Sequence, residues 1–438
     1  MRRHLLPLGL AALFLNPCLA QTADTMGAGG NDPARLGAPR AVEPARLLTL
    51  KAALELAFSA NPELAAAGRE LEALEASIVQ AQLIPNPELA TLVEDTRTAT
   101  RTTTLQLNQP IELGGKRAAR IGAAERGRDA AAVDLDARRA EIRAAVTAAF
   151  YDTLAAQERL RLAQASAALA QSVTTIAARR VAAGKVPPLE ETKARVAEAG
   201  VRVELTLAAS ELASARKRLA SLWGNPSPRF ERAEGELEAL PPLPAAADLN
   251  SRLAAAPSLA RARIEVERRA ALAQVERSRR VPNVTVSLGA KRDEALGRDQ
   301  AIFGVAIPIP VFDRNQGNLL EALRRADKAR DELAATELKS SNELTLAYER
   351  LSAARSETQS LQRDILPGAQ RAFEAASKGF ELGKFGFLDV LDAQRTLFQA
   401  KSQYLRALAE AHRSAAEIGR VLGSALPEST PAPAAAKP

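Results

Sequence analysis

Two carboxylates near the C-terminal end stand out by type and spacing. Asp389 and Asp392 lie three residues apart, so on a helix they share one face. If several copies of the chain brought that face together, the carboxylates would form stacked rings. Crowded like charges repel one another, attract cations and sort solutes by charge. A solvated acidic pair on a surface helix is the plainer reading of the same spacing. Just before them stands Gly383-Lys384, a turn that ends a helical stretch. A matching Gly184-Lys185 lies 199 residues earlier. There the residues past the turn are Glu190 and Glu191, with Lys193 where Asp392 stands in the later copy. Ring chemistry is therefore expected mainly from the second site.

The other reactive types are too sparse to build a centre. His412 is the single histidine beyond His4, and Cys18 is the only cysteine, so no disulfide forms within the chain. One histidine and no cysteine past position 18 make no tight site for a soft or borderline metal. Gly114-Gly115-Lys116-Arg117 has a lysine after glycines. It lacks the upstream glycine spacing and the Ser or Thr of a phosphate loop. No nucleophile has a partnered base, so neither an enzyme nor a cofactor is expected. The net charge is +7, from 59 basic and 52 acidic residues, and it is spread along helical stretches with Glu interleaved. That is a solvated surface, and no nucleic-acid partner is expected. Trp223 and Tyr348 read as packing residues.

The elements that must carry these residues are long. Aromatics make up 3% of the chain, while Ala, Leu, Arg and Glu dominate, a mix suited to close-packed helices. Residues 1–20 read as a signal peptide: Arg2 and Arg3, an apolar run from Leu5 to Leu15, and a small-residue cleavage site before Gln21. A lipid-anchoring role for Cys18 is the alternative to its removal with the signal. Residues 21–45 read as a flexible linker and 426–438 as a disordered Pro/Ala tail. No later apolar run is long enough for a transmembrane helix, so a membrane crossing would fall to strands.

Between those ends the chain repeats itself. Asn61-Pro62, Pro85-Asn86, Gln109-Pro110-Ile111, Tyr151, Gly184-Lys185 and Trp223-Gly224 recur as Ala256-Pro257, Pro282-Asn283, Ile307-Pro308-Ile309, Tyr348, Gly383-Lys384 and Leu422-Gly423. Six ordered matches at an offset of 195–199 define two units, 46–240 and 241–425. Each is expected to hold a helix (51–83 or 247–280), a hairpin of two Thr/Val-rich strands, a helix of about 70 residues (113–183 or 315–382), the glycine turn, and a return helix (188–222 or 388–422). Pro367 is expected to interrupt the second long helix. Four strands cannot close a membrane barrel, and an open sheet in lipid leaves its edges unpaired. Three chains would supply twelve strands and a helical tube beneath them.

This order of elements resembles the TolC-like outer membrane efflux family over about 48–424. The resemblance is carried by Gln109-Pro-Ile-Glu-Leu-Gly-Gly-Lys-Arg117, Ile307-Pro-Ile-Pro-Val-Phe-Asp-Arg-Asn-Gln-Gly317 and Val390-Leu-Asp-Ala-Gln394. The first two are most similar to the CzcC- and CusC-like heavy-metal branch, which implies a passive exit duct for heavy-metal cations of the cobalt/zinc/cadmium or copper/silver type. The resemblance implies a mainly α fold with a small β part: a trimeric α-barrel plus a 12-stranded membrane β-barrel, with no chemistry in the duct. It implies a homotrimer in outer membrane lipid that docks to a periplasmic adaptor and a proton-driven inner-membrane RND transporter. It places Asp389 and Asp392 at the periplasmic constriction. Gly184, Lys185, Gly383 and Lys384 are the candidates for adaptor contact, or simply end and cap their helices. A drug-efflux or type I secretion duct of the same fold is the nearest rival. A periplasmic adaptor lacks duplicated membrane strands, and a coiled-coil scaffold predicts sustained heptads.

Overall fold

The computed structural model describes residues 43–424. The expected signal peptide, the tail and all but the last three residues of the expected linker lie outside the described residues. Strand β1 (Leu47–Thr49) leads into α1 (Leu50–Ala60) and α2 (Pro62–Gln82). A hairpin of β2 (Glu88–Glu94) and β3 (Thr102–Ile111) follows, then α3 (Lys116–Ala182), α4 (Pro188–Ser221) and β4 (Arg232–Glu234). The second unit runs α5 (Ala246–Leu253), α6 (Pro257–Arg279), β5 (Val284–Asp293), β6 (Arg298–Ala306), α7 (Gln316–Ser360), a π turn (Leu361–Ile365), α8 (Leu366–Glu381) and α9 (Phe387–Leu422). At ~1.5 Å per residue α3 alone extends roughly 100 Å. Among the described residues no helix is long and apolar enough to cross a membrane.

Three departures from the sequence expectations have clear causes. The helices expected over 51–83 and 247–280 are each two pieces, broken where a residue precedes proline. Asn61 is extended and accepts from the Leu64 amide at 3.0 Å, so it caps α2, whose first residue is Pro62. Its side chain also donates to the Leu222 carbonyl at 2.8 Å, which ties this break to the end of α4. Pro367 does not break its helix. The residues before it widen into a π turn, and α8 continues from there with Pro367 in its first turn. The short parallel pair of β1 with β4 was not foreseen, because three-residue strands carry no readable alternation.

The packing is one layer, four elements wide. The sheet order is β2-β3-β5-β6. Next to it α2 lies on α3, α3 on α6 and α6 on α7; farther along α4 lies on α3, α3 on α9, and α9 on α7 and α8. One margin of the layer thus belongs to the first unit (β2, α2, α4). The other belongs to the second (β6, α7, α8). Buried alanines such as Ala130, Ala140, Ala163 and Ala177 on α3 let the helices approach closely. Between α3 and α6 the ties are ionic. Glu265 accepts from Arg261, Arg268 and Arg269, and Arg261 reaches Asp134 across the seam at 2.6 Å. Burial alone would raise the Glu265 carboxyl, but the hydrogen bonds and charges of Arg268 and Arg269 outweigh it and hold it at about 2.

A belt crosses the layer midway and joins the units. Glu43 accepts from the Trp223 indole at 3.2 Å, from the Arg229 amide at 2.6 Å and from the Asn225 side chain. Gln157 on α3 exchanges two hydrogen bonds with the backbone of Ala233, at 2.7 and 3.0 Å. Arg355 on α7 donates to the Pro241 carbonyl. On α9 His412 stacks on Tyr151, 3.5 Å between ring centres and 8° between planes, and its Nε2 meets the Leu237 carbonyl at 3.0 Å. A carbonyl only accepts, so Nε2 carries the proton. Burial pushes the imidazole down to about 4, and the Leu237 bond offsets only part of that.

The neutral ring is therefore the folded form. Its contribution is complete above the unfolded value near 6.5 and is lost as pH falls toward 4, because the unfolded chain takes up the proton first. Denaturation at pH 7.5 and pH 5 should differ by up to about 2 kcal/mol from this group. His412→Phe keeps a stacked ring and should remove that share of the pH dependence. An unchanged pH slope in His412→Phe would refute the assignment.

Candidate functional site

Each helical hairpin ends in the same turn. Gly184 has φ +63° and Gly383 φ +71°, values that favour glycine. The Lys185 amide donates to the Arg180 carbonyl at 2.9 Å, and the Lys384 amide to that of Gly379 at 2.8 Å. All four residues thus close their helices through the backbone, while the lysine side chains stay exposed. The structure sets the two tips side by side. Val173, Ala177 and Ala194 from the first hairpin pack with Ala376, Phe380 and Val390 from the second. The Arg180 guanidinium donates to the Phe380 carbonyl at 2.8 Å and lies 4.2 Å from the centre of its ring. Sequence reasoning missed Arg180. Its partner is 200 residues away, and an arginine beside a helix end looks like an ordinary dipole contact.

The paired carboxylates sit on the first turns of α9 and point away from this core. Val390 and the Gln394 side chain, which donates to the Ser166 carbonyl at 3.2 Å, anchor the opposite face. Asp389 accepts from the Gly386 amide at 2.9 Å and so caps its own helix. Asp392 is three-quarters exposed, with Arg395 3.8 Å away on the next turn. Both carboxylates are available to solvent, and one cation accompanies the second. Among the described residues no group of His, Cys, Asp and Glu could hold a metal ion.

At the far end the strand register sorts the hairpin side chains by chemistry. Leu89, Leu105, Leu107, Val286, Leu288, Phe303 and Val305 fall on one face. Thr104, Gln106, Asn108, Thr285, Ser287 and Gln300 fall on the other, with Leu92 and Ile302 among them. Ser287 donates to Asn108 at 2.7 Å, and Gln106 to Asn108 at 2.8 Å, within the polar face. Gly289 sits where any Cβ would strike the Leu105 carbonyl of the neighbouring strand. An apolar face of strands seven to ten residues long, backed by a polar one, suits lipid on one side and water on the other.

Residues 53–225 and 249–424 match the family described as outer membrane efflux protein. The chain belongs to this family. The two matched stretches fall one in each repeat. The chain is 52% identical, over 423 residues, to the cobalt-zinc-cadmium resistance protein CzcC of Cupriavidus metallidurans, covering 97% of this chain and 100% of that one. It is 29% identical to the nickel-cobalt-cadmium resistance protein NccC of Alcaligenes xylosoxydans xylosoxydans over 293 residues, 65% of this chain and 66% of that one. The outer membrane channel CmeC of Campylobacter jejuni has the same fold, with a TM-score of 0.75 at 16% identity over 87% of this chain and 86% of that one. The chain is therefore an outer membrane efflux channel subunit of TolC-like fold that extends into the periplasm, a transport duct and not an enzyme. Channels of this class act as homotrimers with adaptor proteins and RND transporters in tripartite systems.

The geometry of the second tip is open to test. A Cβ on Gly379 would overlap the Phe385 ring folded against it. Gly379→Ala should displace that ring and raise proteolytic cleavage between 382 and 387 severalfold, with the melting of the rest of the chain unchanged. Equal cleavage in both proteins would contradict the packing described.

Proposed function

We propose that the chain is the exit duct for heavy-metal cations of the cobalt-zinc-cadmium type, driven by an inner-membrane RND transporter. The observation that carries this reading is the 52% identity with a cobalt-zinc-cadmium resistance protein over almost the whole of both chains. The absence of a ligand cluster among the described residues suits it: a duct that held its cargo tightly would not release it.

Closure follows from the two margins of the layer. In the proposed homotrimer β2 of one chain pairs with β6 of the next, which gives twelve strands without a free edge. Along the helices α4 exposes Leu189, Val196 and Val203 at seven-residue spacing, and α7 exposes Leu338 and Leu346. In the ring the α4 stripe faces the α8 margin of the next chain, and the α7 positions face the α2 margin of the chain before. Head-to-tail contacts of this kind make a ring when the rotation closes.

In that ring Asp389 and Asp392 form the periplasmic constriction, with Lys193 and Arg395 tempering the charge. The exposed tips around Gly184, Lys185, Gly383 and Lys384 meet the periplasmic adaptor. Exposed Leu382, Phe385 and Leu388 beside the second turn add apolar area to that contact.

Two experiments test these statements. Deletion of the gene should sensitise cells to cobalt, zinc or cadmium and leave drug tolerance unchanged; the opposite pattern would reject the metal cargo. Asp389→Ala with Asp392→Ala should raise single-channel conductance and weaken block by divalent cations. Unaltered conductance and block would remove the carboxylates from the constriction.

A further inference from the structure

The two ends of the β-sheet differ in charge. At the helix-side end, the chain turns between strands and helices through segments 83–88, 109–117, 277–284 and 307–316. They carry six cations, Lys116, Arg117, Arg277, Arg279, Arg280 and Arg314, against three carboxylates, Glu88, Glu112 and Asp313. At the hairpin-turn end, segments 94–102 and 290–299 carry five cations and five carboxylates. Each chain thus has an excess of three positive charges at one end of its membrane segment and none at the other.

The carboxylates of the helix-side end are largely engaged. Glu112 is held by Arg120 through both oxygens, and Asp313 accepts from the Asn315 amide at 2.8 Å. Of the cations, Arg279 is paired with Glu276, just outside these segments, at 2.8 Å, and Lys116 donates to Asn283; the others are freer. The guanidinium groups of Arg117 and Arg314 donate only to backbone carbonyls, of Gln82 and Pro310, and that of Arg277 only to the Gln274 side chain. The Arg280 side chain is exposed and makes no hydrogen bond or ion pair among the described residues.

These cations lie at the rim of an apolar surface. The lipid-suited face of the sheet continues past β6 through Ile307, Ile309 and Val311 at alternate positions, separated by Pro308 and Pro310. Ile309 is 82% and Phe312 91% exposed, and Leu83, Ile84 and Val281 are exposed in the neighbouring turns. Apolar side chains backed by guanidinium groups are what the boundary between acyl chains and headgroups accepts, since arginine can bury its stem and keep its charge in water.

We propose that this rim binds the headgroups of anionic glycerophospholipids in the periplasm-facing leaflet of the outer membrane. The inference rests on the outer membrane reading of the chain, and goes beyond it in assigning a lipid class and a leaflet. The helices fix the leaflet, because the cationic end is the end from which they leave the membrane. Charge complementarity fixes the class, because a zwitterionic headgroup offers no net charge to an excess of three cations per chain. In a homotrimer the excess triples around the girth of the barrel. The guanidinium groups would hold the barrel at a set depth, with the phosphates level with Arg280 and Phe312 in the acyl boundary.

The test uses the full-length channel purified in a neutral detergent and loaded with phosphatidylglycerol or with phosphatidylcholine of the same acyl chains. Native mass spectrometry counts the lipids that each assembly retains. Phosphatidylglycerol should be retained in preference, and the preference should shrink as salt is raised. Arg280→Gln should lower it about fivefold, the effect of one cation at an anionic surface. Arg277→Gln with Arg280→Gln should lower it further. Arg97→Gln with Arg101→Gln, at the hairpin-turn end, should leave it intact. Equal retention of the two lipids, or a loss in the hairpin-turn variant equal to that in Arg280→Gln, would overturn the proposal. Single-channel conductance on the same preparations separates a lost lipid site from a lost channel, and the mass of the assembly reports whether a variant has failed to associate.

Discussion

Hydrocarbon offers no partner to a backbone amide, and that constraint governs this protein. A four-stranded sheet has two open edges, each with a row of N–H and C=O groups that would cost several kcal/mol apiece in lipid. One chain cannot remove them. The edges belong to β2 and β6, and the helical layer beneath repeats the arrangement with α2 and α4 at one margin and α7 and α8 at the other. Strand margin and helix margin therefore present the same problem to a neighbouring chain, and the proposed ring answers both with one rotation. In that ring the polar sheet face turns inward, since lipid claims the other.

Inside the chain the duplication performs a related task. Matched motifs become matched joints. Asn61-Pro62 packs against Trp223-Gly224, and Pro257 packs against Gly423 so closely that a side chain there would strike its ring. These joints close each unit on itself, whereas Arg180, Arg261 and Gln394 join one unit to the other through single side chains. The polar links are spaced along α3, and small buried residues fill the intervals. A layer one helix thick has no deep core to rely on, so ionic and hydrogen-bonded ties such as Arg261 to Asp134 carry a larger share of the inter-unit order than in an ordinary domain.

Most of the architecture was legible because its signals are periodic or duplicated. The long helices, both strand hairpins and the glycine turns follow from residues such as Gly184 and Gly383, whose chemistry leaves few alternatives. The belt was not legible. Glu43 reads as the end of a linker, and β1 and β4 are too short to alternate; only their pairing partners, 185 residues away, define them. Pro367 misled for a different reason: a proline reports the loss of an amide, not whether the helix will widen to accommodate it. The carboxylates of α9 were found by spacing. Their neighbours Arg180 and Phe380 were not, because contact between the tips is a tertiary fact.

The π turn before Pro367 has a consequence for how the two halves keep step. The repeats run 197 residues apart at Tyr151 and Tyr348, and 199 apart at the glycine turns. The wide turn at Leu361–Ile365 lies within that interval, on the later copy alone. A wide turn is what remains when a helix takes in an extra residue without unwinding. The lower part of the second rod is thus out of phase with its upper part, while Lys116–Ala182 is one unbroken winding. A change of winding therefore separates the second tip from the sheet, and none separates the first.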